Sequence, residues 1–279
     1  MASSIGPVIV AYQGEAGAYS EEGVLALFAG AEHLPLSSIR KVFEAVEVGR
    51  ADHGLVPIDN SQAGTINETY DLLLKHGLHL VGETVVRIDH CLLALPGTTL
   101  DDLTEVISHP QAIAQSEEFL NALDVSIRAE YDTAGAAKRI VDDKLETTAA
   151  VASRRAAGLY GLAMLAERIQ TYPDNYTRFG VLSRSPQPLA EPDKTSIVFG
   201  VGHVAGSLYR CIGAFAERHL SLNKLESRPR AGRPWEYVFY ADVEAAAENP
   251  RMIEALAEVS EHSTFTRLLG SYASAIPRR

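Results

Sequence analysis

Short apolar runs closed by glycine, serine or aspartate alternate along this chain with segments whose apolar residues recur every three or four positions. The first pattern predicts strands and the second helices. Residues 8–12 form an apolar run ending at glycines, so a strand is expected there, and 21–28 read as a helix with Ser20 as N-cap and acidic residues in its first turn. Ile39, Val42, Phe43 and Val46 share one helical face after Ser37 and Ser38, and HGLVPI at 53–58 is a further strand. Past the loop 59–64, residues 65–76 predict a helix, and 78–95 supply strand material ending at Pro96 and Gly97.

The pattern then restarts. Val106 and Ile107 lead through Ser108 and His109 to Pro110, the first position of a helix expected to run to about residue 123. VSIRAE at 125–130 predicts a strand, Asp132 a cap, 133–141 a helix and 149–152 a strand, with another helix after Ser153. Such alternation implies parallel α/β sheets, here in two lobes. The stretch SPQPLAEPD, 185–193, has three prolines and no apolar periodicity and reads as a linker. Beyond it come a strand (194–201), a helix (207–218), two strands (220–226 and 235–243), a helix (252–260) and a strand (264–269). That order is the βαββαβ arrangement of a ferredoxin-like domain.

A chain of 279 residues accommodates two domains with full cores, and 46% hydrophobic with 22% charged residues is ordinary for a globular protein. The net charge of −11 argues against a nucleic-acid partner, because phosphate contacts require a basic surface. An acidic protein can still hold a locally positive cleft, so anionic small molecules stay open. Cys91 and Cys211 are far apart, which disfavours a disulfide framework or a zinc cluster and fits a reducing compartment. The opening MASSIGP lacks a basic and apolar leader pattern, and no run approaches the length needed to cross a bilayer, so a cytoplasmic location without membrane attachment is expected.

The chemistry concentrates in the run Asp174, Asn175, Tyr176, Thr177, Arg178, Phe179 ahead of an apolar strand. Thr177 can donate a hydrogen bond to a departing oxygen, and Arg178 can hold a carboxylate in a fork or pair with an acidic neighbour. Four loops have the position where α/β sheets bind ligands: 13–20, with Ala18, Tyr19 and Ser20; 59–65, with Asp59, Asn60 and Ser61; 108–111; and Asp132 with Thr133. Each is rich in small or hydroxyl residues, and each could equally serve only to cap a helix. His109 with Pro110 is expected to fix its loop rather than move a proton. Gly14 and Gly17 resemble a fragment of a dinucleotide loop without its third glycine, and neither a Walker loop nor an HExxH motif is present.

Several motifs together resemble the prephenate dehydratase family: YQGEAGAYSE at 12–21, VPIDNSQAG at 56–64, ISHPQAIAQ at 107–115, the Thr-Arg-Phe signature at 177–179 and ESRP at 226–229. The resemblance implies a bilobed catalytic domain like type II periplasmic binding proteins over 1–186, with lobe 1 at about 7–86 and 168–186 and lobe 2 at about 87–167. A linker at 187–193 and an ACT regulatory domain at 194–279 would follow. It implies decarboxylating dehydration of prephenate to phenylpyruvate in phenylalanine biosynthesis, a hydro-lyase reaction needing no cofactor and no metal. Thr177 would then assist the departing hydroxyl, with Asn60, Gln115 and Ser108 in the catalytic set. Ser61, Arg178, Phe179, Thr133, Ala18, Tyr19, Ser20 and Asp59 would bind substrate. Asp59 stands where the family usually has glutamate, which puts any role needing that longer reach in question.

In the second domain, Gly206, Ser207, Leu208 and Tyr209 match the segment where ACT domains receive phenylalanine, with Glu226, Ser227, Arg228 and Pro229 on a neighbouring strand. Ser207 replaces the usual alanine, and Ala205 stands where proline is common. L-Phenylalanine is therefore the expected effector, bound between paired domains in a homodimer or homotetramer. GAYSE at 17–21, HCLLALPG at 90–97 and DTAGAA at 132–137 are similar to plant-type members, several of which prefer arogenate, so arogenate dehydratase is the near alternative. A noncatalytic small-acid sensor is the alternative of another class, since bilobed clefts and ACT domains both serve as binding modules. Thr177 weighs against it, because a sensor needs no donor at a leaving group.

Overall fold

The computed structural model describes residues 7–230 and 235–276. The leader pattern sought in MASSIGP falls mostly outside them. The first elements are β1 (Ile9–Gln13), α1 (Tyr19–Leu27), β2 (Glu32–Leu36), α2 (Ile39–Glu47), β3 (His53–Asn60), β4 (Gly64–Thr65), α3 (Asn67–Lys75) and β5 (His79–Arg87). Next come β6 (Cys91–Ala94), β7 (Glu105–Ser108), α4 (Pro110–Gln115), α5 (Glu117–Asn121), β8 (Ser126–Ala129), α6 (Thr133–Asp142), β9 (Thr148–Ala152), α7 (Arg154–Tyr160) and β10 (Ala163–Glu167). The chain continues with β11 (Tyr176–Ser183), β12 (Lys194–Gly200), α8 (Ser207–Ala216), β13 (Leu222–Pro229), β14 (Tyr237–Val243), α9 (Pro250–His262) and β15 (Phe265–Tyr272). Among the described residues, no helix is long and apolar enough to cross a membrane.

One sheet has the order β2-β1-β3-β11-β5 with β4 on β3, and a second has the order β10-β6-β9-β7-β8. The chain leaves the first sheet after β5, builds the second, and returns as β11, which makes two lobes. Parallel sheets were expected from the alternation, and β1 pairs in parallel with both β2 and β3. The second sheet is mixed instead, because β6 runs antiparallel to both β9 and β10.

Two strands escape the hydrophobic pattern. β2, EHLPL, carries a proline and is half-exposed, which is tolerable because it is an edge strand. β10, AMLAE, is the corresponding edge of the second sheet; its apolar residues follow α7 after Gly161 and Leu162 with no polar break, so the pattern does not separate the strand from the helix before it. The helix expected from 110 to 123 breaks at Ser116, whose N–H is shared between the carbonyls of Ala112 and Ile113. Ser20 is not the N-cap of α1. Ala18 occupies that position, and the Ser20 hydroxyl donates to the Gln13 carbonyl.

Contacts divide the chain into two compact units, one of residues up to Tyr70 with Thr84–Phe179, the other of Asp71–Glu83 with the chain from Gly180 on. That division differs from a boundary at the proline-rich linker, since it groups 71–83 with the C-terminal part. In the first unit the second lobe holds the loop after β1. Ser153 Oγ donates to the Gly17 carbonyl at 2.7 Å, Tyr160 to the Ala16 carbonyl at 2.7 Å, and the Glu15 N–H donates to Asp132 at 3.1 Å. The core of the second lobe packs Leu93, Ile107 and Ile140 with a set of alanines, whose small side chains let α6 and α7 lie close to the sheet.

The second unit contains the sheet β13-β14-β12-β15, with α8 and α9 over a core of Ile197, Phe199, Phe215, Met252 and Val259. Its βαββαβ order and strand arrangement are ferredoxin-like. Arg267 on β15 donates to the carbonyls of Leu73 at 3.0 Å, His76 at 2.8 Å and Leu78 at 3.1 Å, supplying partners that the end of α3 lacks. Lys194 forms a buried pair with Glu83 at 2.8 Å, and Arg228 pairs with Asp71 at 3.0 Å. Gly270 is required where β15 meets this segment, since a Cβ there would lie 1.8 Å from the Leu80 carbonyl oxygen.

Candidate active site

Loops from both lobes enclose a cavity of about 340 Å³, within the range used by small-molecule sites. The loop after β1 contributes Gln13, Ala18, Tyr19 and Ser20, the start of α2 contributes Ser37, Ser38 and Ile39, and the segment from β3 to α3 contributes Asn60, Ile66 and Glu68. From the second lobe come His109, Gln111 and Gln115 of the α4 region and Asp132 with Thr133 at the start of α6. Ile88 and His90 enter between β5 and β6, and Thr177 and Phe179 from β11.

Among the described residues, no lysine or arginine lines this cavity. As donors, an anion entering it would meet only neutral groups and helix N-termini, whose free N–H groups and dipoles favour negative charge. The first turns of α1, α2 and α6 all reach the wall. Ser38 and Asp132 cap α2 and α6, whereas Ala18 offers no capping side chain, so the first N–H groups of α1 are left to a ligand or water.

At the floor lies a set of amides whose orientations follow from one another. Asn60 Oδ1 accepts from the backbone N–H of Gln62 at 3.1 Å and of Ala63 at 2.9 Å, groups that can only donate. Its Nδ2 must then face the other way, donating to Asn175 Oδ1 at 2.8 Å, the Tyr176 carbonyl at 3.2 Å and Thr177 Oγ1 at 3.0 Å. Asn175 Nδ2 in turn donates to Gln115 Oε1 at 3.0 Å, and Gln115 Nε2 donates to Asn60 Oδ1 at 3.2 Å. Asn175 is fully buried, and Asn60 and Thr177 nearly so. Because Asn60 donates to Thr177 Oγ1, the threonine's own proton is left for a partner in the cavity.

Burial pushes the imidazoles of His90 and His109 below their usual range, so both are neutral near pH 7. His109 caps α4, its Nδ1 accepting from the Gln111 N–H at 3.2 Å. The Asp132 carboxyl is raised by burial, against the lowering effect of the N–H groups of Glu15, Gly135 and Thr133.

Of the residues singled out in the sequence, Thr177, Asn60, Gln115, Phe179, Thr133, Ala18, Tyr19 and Ser20 come together on this wall. Four others do not line it. Ser108 is fully buried and donates to the Val151 carbonyl at 2.6 Å, tying β7 to β9. Ser61 donates to the Asp174 carbonyl at 3.1 Å and accepts from the Tyr176 N–H at 2.9 Å, lacing the loop after β3 to β11. Arg178 turns to Asp59, to which its Nε donates at 3.0 Å. The reason is strand alternation: Thr177 and Phe179 share the cavity face of β11, so Arg178 between them points to the opposite face. Of the two roles expected for Arg178, pairing with an acidic neighbour is the one this structure displays.

Sequence reasoning missed His90, Asn175 and the Ser37 and Ser38 wall. His90 opens the HCLLALPG motif and Asn175 lies in the run ahead of Thr177, so both were in view without a partner to give them a role.

In the second unit, residues 201–209 line a shallow hollow. Gly206 precedes α8 with φ +82°, a left-handed conformation that glycine adopts without strain. Glu226, Ser227, Arg228 and Pro229 lie on β13 and do not line that hollow.

The family model for prephenate dehydratase matches residues 10–187. The chain belongs to the prephenate dehydratase family. An arogenate dehydratase of Arabidopsis thaliana is 46% identical over 94% of this chain, and the chain spans about two thirds of that relative, 67% of its length. The crystal structure of a prephenate dehydratase from Arthrobacter aurescens in complex with L-Phe has a TM-score of 0.87 at 31% identity, covering 96% of this chain and 90% of the other. A TM-score of 0.86 at 36% identity relates the chain to GqqA, described as a novel type of quorum-quenching acylase, over 95% of this chain and 98% of that one. The fold is therefore shared with these two solved structures.

Proposed function

We propose that this chain is a decarboxylating hydro-lyase acting on prephenate, with arogenate as the competing substrate, and that the reaction occurs in the cavity beside Thr177. The observation that carries this reading is the Thr177 hydroxyl, held by Asn60 Nδ2 at 3.0 Å with its proton left for the cavity. Loss of carbon dioxide and water aromatises the ring, and hydroxide is the poor leaving group. Thr177 donates to the departing oxygen; its own pKa is too high for a free-standing acid, so it acts as an oriented donor. Asn60 and Gln115 hold that donor, and the N-termini of α1, α2 and α6 with Thr133 receive carboxylate oxygens. Phe179 offers an apolar surface to the ring. No nicotinamide, metal or other cofactor enters this scheme.

The plant relatives are named for arogenate, which is why that substrate is kept as the second reading. An acylase-type mechanism needs a nucleophile paired with a base. In this cavity both ring nitrogens of His90 and Nδ1 of His109 already have other partners, which disfavours it.

We assign the catalytic part to 1–186 and a phenylalanine-responsive ACT part to 194–279, with residues 206–209 and 226–229 receiving phenylalanine between paired domains of a homodimer or homotetramer. The L-Phe-bound relative supports that effector. A reducing compartment, the cytoplasm in our reading, is supported by Cys91 and Cys211 being free and buried. The relative from Arabidopsis is named chloroplastic, and imaging of the tagged chain decides between the two.

Purified protein is incubated with prephenate and with arogenate separately, each with and without phenylalanine, and phenylpyruvate or phenylalanine is measured. Product from either establishes the lyase, and the ratio of kcat/KM values names the preferred substrate. Rates equal to the uncatalysed reaction for both would refute the enzyme and leave the sensor reading.

A further inference from the structure

His90 is a buried group of the cavity that this scheme leaves unused. It sits between the lobes, 2% exposed, with every polar atom of its side chain engaged. Nε2 lies 2.9 Å from Gln115 Oε1, and Nδ1 lies 3.0 Å from the Tyr19 hydroxyl. The His90 backbone N–H donates to Gln170 Oε1 at 3.0 Å, so the ring is anchored from the main chain as well.

The amide network beside this ring favours one tautomer. The N–H groups of Gln62 and Ala63 fix Asn60 Oδ1 as an acceptor, which fixes its Nδ2 as the donor to Asn175 and Thr177. Gln115 must then present Nε2 to Asn60 Oδ1 and Oε1 to Asn175 Nδ2. The Gln115 oxygen therefore faces His90 Nε2, and only a protonated Nε2 can bond there. Nδ1 is then an acceptor, and the single proton of the Tyr19 hydroxyl is shared between Nδ1 at 3.0 Å and the Asp89 carbonyl, to which Tyr19 donates at 2.8 Å.

We propose that His90 is a positioning residue for this reaction: its Nε2–H supports the Gln115 amide, which together with the Gln62 and Ala63 N–H groups holds Asn60, and Asn60 aims the Thr177 hydroxyl into the cavity. The chain of bonds runs from Tyr19, at the start of α1, through the imidazole to the leaving-group donor on β11. Flipping the Gln115 amide would put its amino group against Asn175 Nδ2 and its oxygen against Asn60 Oδ1, two clashes between like groups. His90 opposes that flip because its Nε2–H needs the oxygen. The inference rests on the lyase reading for its catalytic consequence, whereas the proton on Nε2 does not depend on it.

Two measurements test it. In protein labelled with ¹⁵N-histidine, two-bond proton–nitrogen spectra of the intact chain report which ring nitrogen carries the proton. A protonated Nε2 at His90, assigned by its loss in His90→Gln, is expected, and a bare Nε2 would overturn the lock whatever the enzyme turns over. In kinetics, wild type on its better substrate is the reference. His90→Leu is expected to lose about 10- to 100-fold in kcat, less than the loss of the aimed donor itself, with KM within about 3-fold. His90→Gln places an amide donor near Nε2 and is expected to recover at least about a third of the lost logarithm of kcat. Equal loss in both variants, or kcat within about 2-fold of wild type in His90→Leu, would refute the role. Should His90→Leu not fold, Tyr19→Phe is read in the nitrogen spectrum instead, where Nε2 stays protonated if Gln115 sets the tautomer.

Discussion

Asn60 Nδ2 lies 3.0 Å from Thr177 Oγ1 although 117 residues separate them in sequence, and that bond leaves the threonine proton facing the cavity. Removing the hydroxyl while keeping the shape, as in Thr177→Val, is expected to lower kcat by about 100- to 1,000-fold, the usual worth of one oriented donor at developing charge. Asn60→Asp keeps the acceptor for Gln62 and Ala63 but loses the donor, and is expected to lower kcat by about 10- to 100-fold. Steady-state kinetics with a thermal melt of each variant checks both, and unchanged turnover in Thr177→Val would refute the assignment.

Ser108 separates structural from catalytic roles. Its hydroxyl is fully buried on the Val151 carbonyl, so Ser108→Ala is expected to cost about 1–2 kcal/mol of stability and leave kcat within about 2-fold. Urea unfolding alongside turnover gives both numbers, and a large kcat loss with intact stability would restore the catalytic expectation.

Arg178→Met strands the partly exposed Asp59 carboxylate without the guanidinium that faces it. A cost of about 2–3 kcal/mol is expected, below the range for fully buried pairs because Asp59 is reached by solvent. KM for either substrate is expected to change less than about 3-fold. A rise of about 100-fold would mean that Arg178 leaves Asp59 for the substrate.

Burial raises the Glu22 carboxyl to about 7, the neighbouring Glu21 adding to that against Arg155, so the folded chain holds a proton there that the unfolded chain releases near its ordinary value. With the folded-state value raised, this term favours folding below the unfolded value and is lost as pH rises through about 7. Glu22→Gln is expected to be more stable than wild type at pH 8 by on the order of 1 kcal/mol, discounted for partial solvent screening, with the difference gone by about pH 4. Unfolding midpoints across that range decide it, and a difference independent of pH would show that Glu22 is not the group responsible.

L-Phenylalanine is expected to bind the C-terminal domain and change turnover by about 5- to 150-fold, a coupling of about 1–3 kcal/mol. Gly206→Val forces a branched side chain into the left-handed conformation and is expected to weaken that response. Calorimetry, turnover and sedimentation with and without phenylalanine read binding, coupling and assembly. Saturating phenylalanine that neither binds nor alters turnover would refute the regulatory reading.

Periodicity identified α2 from Ile39, Val42, Phe43 and Val46, all of which are buried, because a single apolar stripe reports one face against a core. It failed at β2, whose edge position demands no apolar run, at β10, whose apolar residues follow α7 without a polar break, and at Ser116, where the helix breaks within a continuous helical pattern. The Thr-Arg-Phe run was legible as chemistry. Which of its side chains faces the cavity was not.

By itself the sequence determined the alternation of strands and helices, the βαββαβ ending and the family, since these rest on local periodicity and on ordered motifs. Only the tertiary structure decided that Arg178 turns to Asp59, that Ser108 is spent on Val151, and that His90, Gln115, Asn175 and Asn60 converge on Thr177. Hydrogen bonds between residues that far apart depend on strand pairing and pleat. A side chain's type states what it can bond, and only the fold states what lies within reach.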